Sequence, residues 1–243
     1  MTPAVPEQSI TFLELDVDGT LANSLPMVCR TYRQAAREIA GVNLEAALVE
    51  QLFLGSNDGT IRAALQEVRG EDFPTSGVRA RHRELQDLEV ATTPEPKMPG
   101  VDELLALAEE RGTALGANSG NIVSRTQARL ERIGILNRLH AVVGGDEVPP
   151  DKGKPEPDSF HLLMQRLLAT SVLPPDTIPS QGVVIGDSEV DIIGGQRAGR
   201  YTLYIPSNGT VQRAAAERAT WVRPSLNDAV PLLRRLLRPR NDD

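Results

Sequence analysis

Apolar positions along this chain recur in two rhythms. Residues 10–15, Ile-Thr-Phe-Leu-Glu-Leu, form a short apolar run rich in strand formers and predict a first strand. Residues 25–40 then follow helical spacing, with Ser24 as a candidate cap, Pro26 in the first turn and Gly41 just past the end. Further helical patterns lie near 44–53, 58–69 and 76–90, with no convincing strand between 21 and 110. Three prolines within residues 92–99 end the helical stretch and read as a linker. Residues 22–96 therefore predict an all-helical insertion.

From residue 100 the rhythm alternates. Helix 101–111 stops at Gly112 and strand 113–117 follows. Helix 123–133 stops at Gly134, and a strand is expected at 141–143. Helix 158–168 precedes strand 183–185. Helix 190–198 stops at Gly199 before strand 202–205. A shorter strand at 221–222 leads to helix 225–236. Such alternation predicts βαβ units, and hence a mostly parallel sheet covered on both faces. Residues 1–8 hold two prolines and no period, and read as a loose tail.

Composition narrows the class. With 243 residues, 40% apolar and 24% charged, the chain has enough apolar side chains for a sizeable core, either one large domain or a core plus an insertion. Net charge is −7, from 26 basic and 33 acidic residues, so the surface repels nucleic acid and anionic membranes. Aromatics at 3% argue against base-stacking surfaces. No apolar run reaches the roughly 18 residues of a membrane span. The N-terminus has neither the basic start nor the apolar stretch of a signal peptide. The single cysteine, Cys29, excludes an internal disulfide framework and suggests a cytoplasmic protein. A monomer or weak dimer is expected.

In an open parallel sheet, ligands bind beyond the carboxyl ends of the strands. Asp16 and Asp18 follow the first predicted strand, and Asn118, Ser119 and Gly120 the second. Lys154, in Lys-Pro-Glu-Pro, lies beyond the third, and Asp187 and Asp191 beyond the fourth. Four carboxylates and one lysine thus collect at one edge. Converging carboxylates must be neutralised, and hard oxygen ligands suit magnesium, which keeps waters and bridges to phosphate. A lysine supplies a compact charge for phosphate oxygens. One carboxylate can attack phosphorus, and a second two residues on can move the protons. Gly19 lets the chain turn there.

The runs Asp16-Val-Asp-Gly-Thr, Asn118-Ser119, Lys154-Pro-Glu-Pro and Gly-Asp187-Ser-Glu-Val-Asp191 resemble the four motifs of the haloacid dehalogenase superfamily. The helical insertion, and Pro99-Gly-Val-Asp-Glu-Leu-Leu after it, resemble the subgroup of phosphoglycolate phosphatases, sugar-phosphate phosphatases and β-phosphoglucomutases. The resemblance implies an α/β Rossmann-like core of strand order 5-4-1-2-3, formed by residues 1–21 and 97–243, with residues 22–96 as its cap domain. It implies Asp16 as nucleophile, Asp18 as general acid/base and Lys154 as the phosphate-binding lysine. Gly19, Asn118 and Ser119 would join Lys154 in holding phosphate. Magnesium would lie among Asp16, Asp18, Asp187 and Asp191, with the Val17 carbonyl as a further ligand. The implied reaction is hydrolysis of a small phosphomonoester, phosphoglycolate or a sugar phosphate, through a phospho-aspartate. A phosphomutase using the same intermediate is the first alternative.

One position departs from the pattern. Ala117 stands where the second motif usually carries Thr or Ser, leaving Ser119 or the Asn118 backbone N–H to substitute. A phosphate-ligand-binding protein with weak or lost catalysis is the alternative this raises. Gly55 and Ser56 are expected in the cap loop facing the site, with Arg62 and Lys97 as candidates for an anionic substrate group. His82, His140 and His161 have no ligand spacing and are assigned no chemistry.

Overall fold

A computed structural model of the chain describes residues 9–53, 63, 65–67, 69, 70, 72–93, 95–209 and 211–239. The chain divides into two compact units. One is Met1–Ala22 with Pro96–Asp243, the other Asn23–Glu95.

The first unit is built on a parallel six-stranded sheet of order β3-β2-β1-β4-β5-β6. Its strands are β1 (Phe12–Leu15), β2 (Ala114–Asn118), β3 (Ala141–Val143), β4 (Gly182–Gly186), β5 (Tyr201–Tyr204) and β6 (Trp221–Val222). Read from the other edge, the expected order 5-4-1-2-3 is present, with β6 added beside β5. Strand β1, buried throughout, lies between β2 and β4, and Leu15 pairs with Ala117 on one side and Ile185 on the other.

Alternation along β1 sorts its side chains onto two faces. Leu13 and Leu15 enter a large apolar core. There they join Leu115, Ala117, Val183 and Ile185. Helices α4 (Val101–Arg111), α5 (Val123–Arg132) and α9 (Leu226–Leu236) cover that face, through Leu104, Leu130, Leu233 and their neighbours. Phe12 packs instead in a separate cluster with Leu163 and Leu167 of α6 (Asp158–Ala169). Helix α7 (Glu189–Arg197) lies against β4 and β5, and a short α8 (Arg213–Arg218), not foreseen from the sequence, lies beside α7. Helix α4 ends where its glycine demands. Gly112 sits at φ 64, and its N–H closes on the Ala108 and Glu109 carbonyls.

Glu14, on the Phe12 face, is wholly buried, as is its partner Arg200. The guanidinium donates to Glu14 Oε1 at 3.1 Å and to the Phe160 carbonyl at 3.2 Å, and it also bonds the Ala198 carbonyl. Burial pushes the Glu14 carboxyl up to about 7, although Arg200 pulls against it.

The second unit is helical among its described residues, with α1 (Leu25–Ala40), α2 (Ala46–Phe53) and α3 (Thr75–Thr92). Its core collects Tyr32, Ala36, Leu44, Val49, Leu65, Phe73 and Leu85. Cys29 packs at the margin, half-buried, and burial lifts its thiol to about 11, away from thiolate chemistry. His82 is buried with its Nδ1 3.1 Å from the Thr31 hydroxyl, and His140 Nδ1 accepts the Leu115 N–H at 3.0 Å. His82 serves packing, and His140 satisfies a backbone N–H. The predicted helix over 58–69 lies largely outside the described residues. No helix among the described residues is long and apolar enough to cross a membrane.

Replacing Arg200 by Met strands the buried Glu14 carboxylate and is expected to lower unfolding free energy by about 3–5 kcal/mol. The double variant Glu14→Leu, Arg200→Met should recover part of that loss, because no buried charge remains although the Ala198 and Phe160 carbonyls lose their donor. Urea denaturation of the parent and both variants checks this, and a double variant no more stable than the single one contradicts it.

Candidate active site

The carboxyl edge of the sheet gathers the predicted residues because each lies on a segment that leaves a strand at that edge. Asp16 is the first residue beyond β1, and its N–H is anchored on the Ile185 carbonyl at 2.9 Å. Asn118 ends β2 and Ser119 follows it. Asp187 follows the last residue of β4, and Asp191 lies in the first turn of α7, where carboxylates suit the helix dipole. Lys154 arrives from the segment between β3 and α6.

Lys154 binds the cluster together. Its ammonium donates to Asp16 Oδ1 at 2.9 Å, Asp191 Oδ1 at 2.7 Å and the Asn118 carbonyl at 2.6 Å, which uses all three of its protons. It also lies 5.7 Å from the Phe160 ring centroid, within cation–π range. The Ser188 hydroxyl bonds the second Asp191 oxygen. Asp16, Asp187 and Asp191 bring ligand oxygens within 4.8 Å of one another.

Electrostatics follow from that crowding. Burial, then the charges of Asp191 and Asp18, push the Asp16 carboxyl up to about 7 against the pull of Lys154. Burial and the same neighbours, Asp16 foremost, hold Asp187 well above the usual carboxylate range. Burial works against the Lys154 charge, but Asp16 and Asp191 outweigh it and hold the ammonium above its ordinary range. The pocket is thus short of positive charge, and hard oxygen donors in this number suit a divalent cation such as magnesium.

Gly19 is required by geometry. It sits at φ +83, and a Cβ there would stand 2.2 Å from Asp187 Oδ2.

Other predicted residues sit differently. Asp18 is outside the cluster of close carboxylates. Its Oδ1 pairs with Arg129 of α5, and its Oδ2 accepts the Asn121 side-chain N–H at 2.8 Å. The Val17 carbonyl, expected on the metal, accepts the Leu21 N–H at 3.0 Å and the Ala22 N–H at 2.8 Å. Both its lone pairs are spent, so it has none for a metal, which corrects that expectation. Asn118 directs its amide to Ser159 Oγ at 3.1 Å, and the Ser119 hydroxyl accepts the Asn121 N–H at 3.1 Å. Ala117 is fully buried inside β2 within the apolar core, so a hydroxyl there would enter the core. Lys97 is bonded to Asp102 at 2.6 Å. Gly55, Ser56 and Arg62 lie outside the described residues.

Three contributors were not read from the sequence. Arg129 stands in a helix of mixed charge, Asn121 beside the quoted Asn118-Ser119-Gly120, and Ser188 three residues before Asp191. Only Ser188 had a local signal, the spacing of a side chain to the first turn of a helix.

The profile of the haloacid dehalogenase-like hydrolase family matches residues 15–199, from the end of β1 to just before β5. The chain belongs to this family. It is 26% identical over 199 residues to a phosphoglycolate phosphatase of Vibrio cholerae, covering 80% of this chain and 84% of that protein. It is 28% identical over 213 residues to a glyceraldehyde 3-phosphate phosphatase of Methanopyrus kandleri, covering 78% and 81%. A crystal structure of a predicted phosphoglycolate phosphatase from Haemophilus somnus shares the fold, with TM-score 0.76, 19% identity, and coverage of 93% of this chain and 99% of that one. This dehalogenase-like hydrolase is thus an enzyme whose similar relatives are phosphatases.

Gly19→Ala is expected to cost about 1–3 kcal/mol of unfolding free energy, from the left-handed backbone and the approach to Asp187. Denaturant titration measures it, and an unchanged midpoint and slope would contradict the close approach.

Proposed function

We propose that this hydrolase cleaves small phosphomonoesters with magnesium, through a phosphorylated Asp16. The observation that carries the reading is the Lys154 ammonium shared between Asp16 and Asp191, with Asp187 in the same cluster, at the carboxyl edge of a parallel sheet. Phosphoglycolate and sugar phosphates are the proposed substrates. The Vibrio cholerae and Methanopyrus kandleri relatives, named for phosphoglycolate and glyceraldehyde 3-phosphate, support that class.

Magnesium fits the donor set of Asp16, Asp187 and Asp191, and when bound it would neutralise phosphate charge. The chain's own groups do the rest. Lys154 occupies Asp16 Oδ1, which leaves Oδ2 for attack on phosphorus. As the Asp16–phosphorus bond forms, the ester P–O bond breaks, and Asp18 gives its proton to the departing alcohol oxygen. Asp18 then takes a proton from water as the water oxygen attacks the phosphoryl group, and Asp16 is released with inorganic phosphate. The Ser119 hydroxyl is assigned to the phosphoryl oxygens, and Lys154 to their charge, which it can meet directly by turning one proton away from the Asn118 carbonyl. We assign substrate choice to the helical unit, the proposed cap at 22–96.

The departure at Ala117 gives no support to a chain without catalysis, because that side chain belongs to the core. Ala117→Thr is therefore expected to leave turnover unchanged or to lower it by disturbing packing. Ser119→Ala should lower kcat by roughly 10²–10³, the effect of losing one transition-state donor.

Phosphate release from a panel of phosphomonoesters with magnesium, beside an Asp16→Asn control, tests the reading. Turnover that vanishes in the control and with chelator is expected. No release above the control from any ester overturns the phosphatase reading, and phosphate transfer between sugar positions that needs a bisphosphate would favour the phosphomutase.

A further inference from the structure

We propose that Arg129, with Asn121, is the positioning residue for the proton-transferring carboxylate of Asp18. The inference rests on the phosphatase reading above, and it concerns helix α5, which contributes none of the reacting groups.

Arg129 is only 1% exposed. Arginine is almost never buried this far unless it is paired. The inward side of α5 is Thr126, Arg129 and Leu130, the i, i+3, i+4 stripe on which a core-facing helix ordinarily carries apolar residues. Packing alone would be met by an aliphatic side chain at 129. A guanidinium there bears a desolvation cost that demands a matched anion. Among the described residues Asp18, 111 residues earlier in the chain and paired through Oδ1, supplies such an anion.

The second Asp18 oxygen is held independently. Oδ2 accepts the Asn121 amide at 2.8 Å. Asn121 is itself fixed from both sides, its N–H on Ser119 Oγ at 3.1 Å and its carbonyl on the Gly145 N–H at 2.7 Å. The carboxylate is therefore gripped at both oxygens by the segment running from the end of β2 into α5. A carboxylate oxygen offers two lone pairs, so each keeps one for the transferred proton. The grip fixes direction without blocking the transfer. It also keeps Asp18 apart from the Asp16–Asp187–Asp191 cluster, so that proton transfer and nucleophilic attack fall to differently supported groups.

The consequence is a dependence on the leaving group. An alkoxide needs the Asp18 proton to depart, whereas a nitrophenolate departs without it. The test compares kcat/KM, which stops at the first irreversible step, for a primary alkyl phosphate and p-nitrophenyl phosphate at saturating magnesium. Arg129→Met is expected to lower kcat/KM on the alkyl ester by roughly 10–100-fold, part of the range of general acid catalysis, and on the aryl ester by less than about threefold. Arg129→Lys should restore part of the alkyl activity. Asn121→Ala should show the same selectivity at smaller size, and it carries the test if Arg129→Met does not fold, which thermal unfolding reports. An equal fall on both esters, or no fall on either, overturns the positioning role. A parent chain active on both esters whose Asp18→Asn variant lacks the selectivity overturns the role of Asp18 and the clamp with it. A parent chain that hydrolyses neither ester overturns the phosphatase reading as well.

Discussion

Acidic side chains at alternate positions along one segment, each needing its own cation, are the constraint on which this structure is arranged. Glu14, Asp16 and Asp18 leave β1 and its continuation at i, i+2 and i+4. Neighbours two residues apart in extended chain lie about 6.7 Å from each other. At an effective dielectric of 20 that spacing costs about 2.5 kcal/mol per like-charged pair. The chain answers with three separate cations. Arg200, from the turn before β5, takes Glu14, Lys154 takes Asp16, and Arg129 of α5 takes Asp18. Three distant segments are thereby fixed to one strand. Side-chain exposure of the acids rises outward, 0% at Glu14, 12% at Asp16 and 31% at Asp18.

The choice of cation follows the job. Lys154 is a point charge with three separable protons, and it spends them on two carboxylates and a carbonyl from three different strand ends. An arginine fork would match one carboxylate well and the others poorly. Asp18 and Glu14 each need one firm partner, and both have an arginine. Asp187 receives no cation of its own among the described residues, and burial with its acidic neighbours holds its carboxyl well above the usual range. A divalent ion at that place would supply the positive group that Asp187 lacks, beside the lysine that Asp16 and Asp191 share.

What the sequence made legible was whatever the chain's local order determines. Asp16, Asn118, Ser119 and Asp187 were found because the sheet brings strand ends together, and the strand ends are marked by apolar runs. The edge strand β6 was foreseen as an element but not placed in the order, because a two-residue strand carries almost no pairing signal. Orientation was less legible. Ala117 was located by its motif position, and a residue count does not say that its side chain takes the core face of β2. The Val17 carbonyl was misjudged because backbone bonding within a tight turn leaves no trace in composition. Arg129 was invisible for a different reason: its partner lies 111 residues away, and among the charges of α5 it reads as one more exposed basic residue.

Glu14 and Arg200 show how far the site's demands extend inward. Neither touches the pocket's cluster, and an apolar pair would spare the desolvation of two charges. Their geometry suggests a reason for the ionic form. Besides Glu14, the guanidinium holds the carbonyls of Ala198 and Phe160, at the end of α7 and in the first turn of α6. Phe160 is the ring beside the Lys154 ammonium. An aliphatic replacement would fill the volume and lose both carbonyl bonds, releasing the turn that carries Phe160. The ion pair thus ties β1, α6 and α7 at a single point, one layer below the lysine that ties Asp16, Asp191 and Asn118. Precision at the upper tie depends on the lower one, since a lysine stem can aim three protons only if the surfaces around it stay fixed.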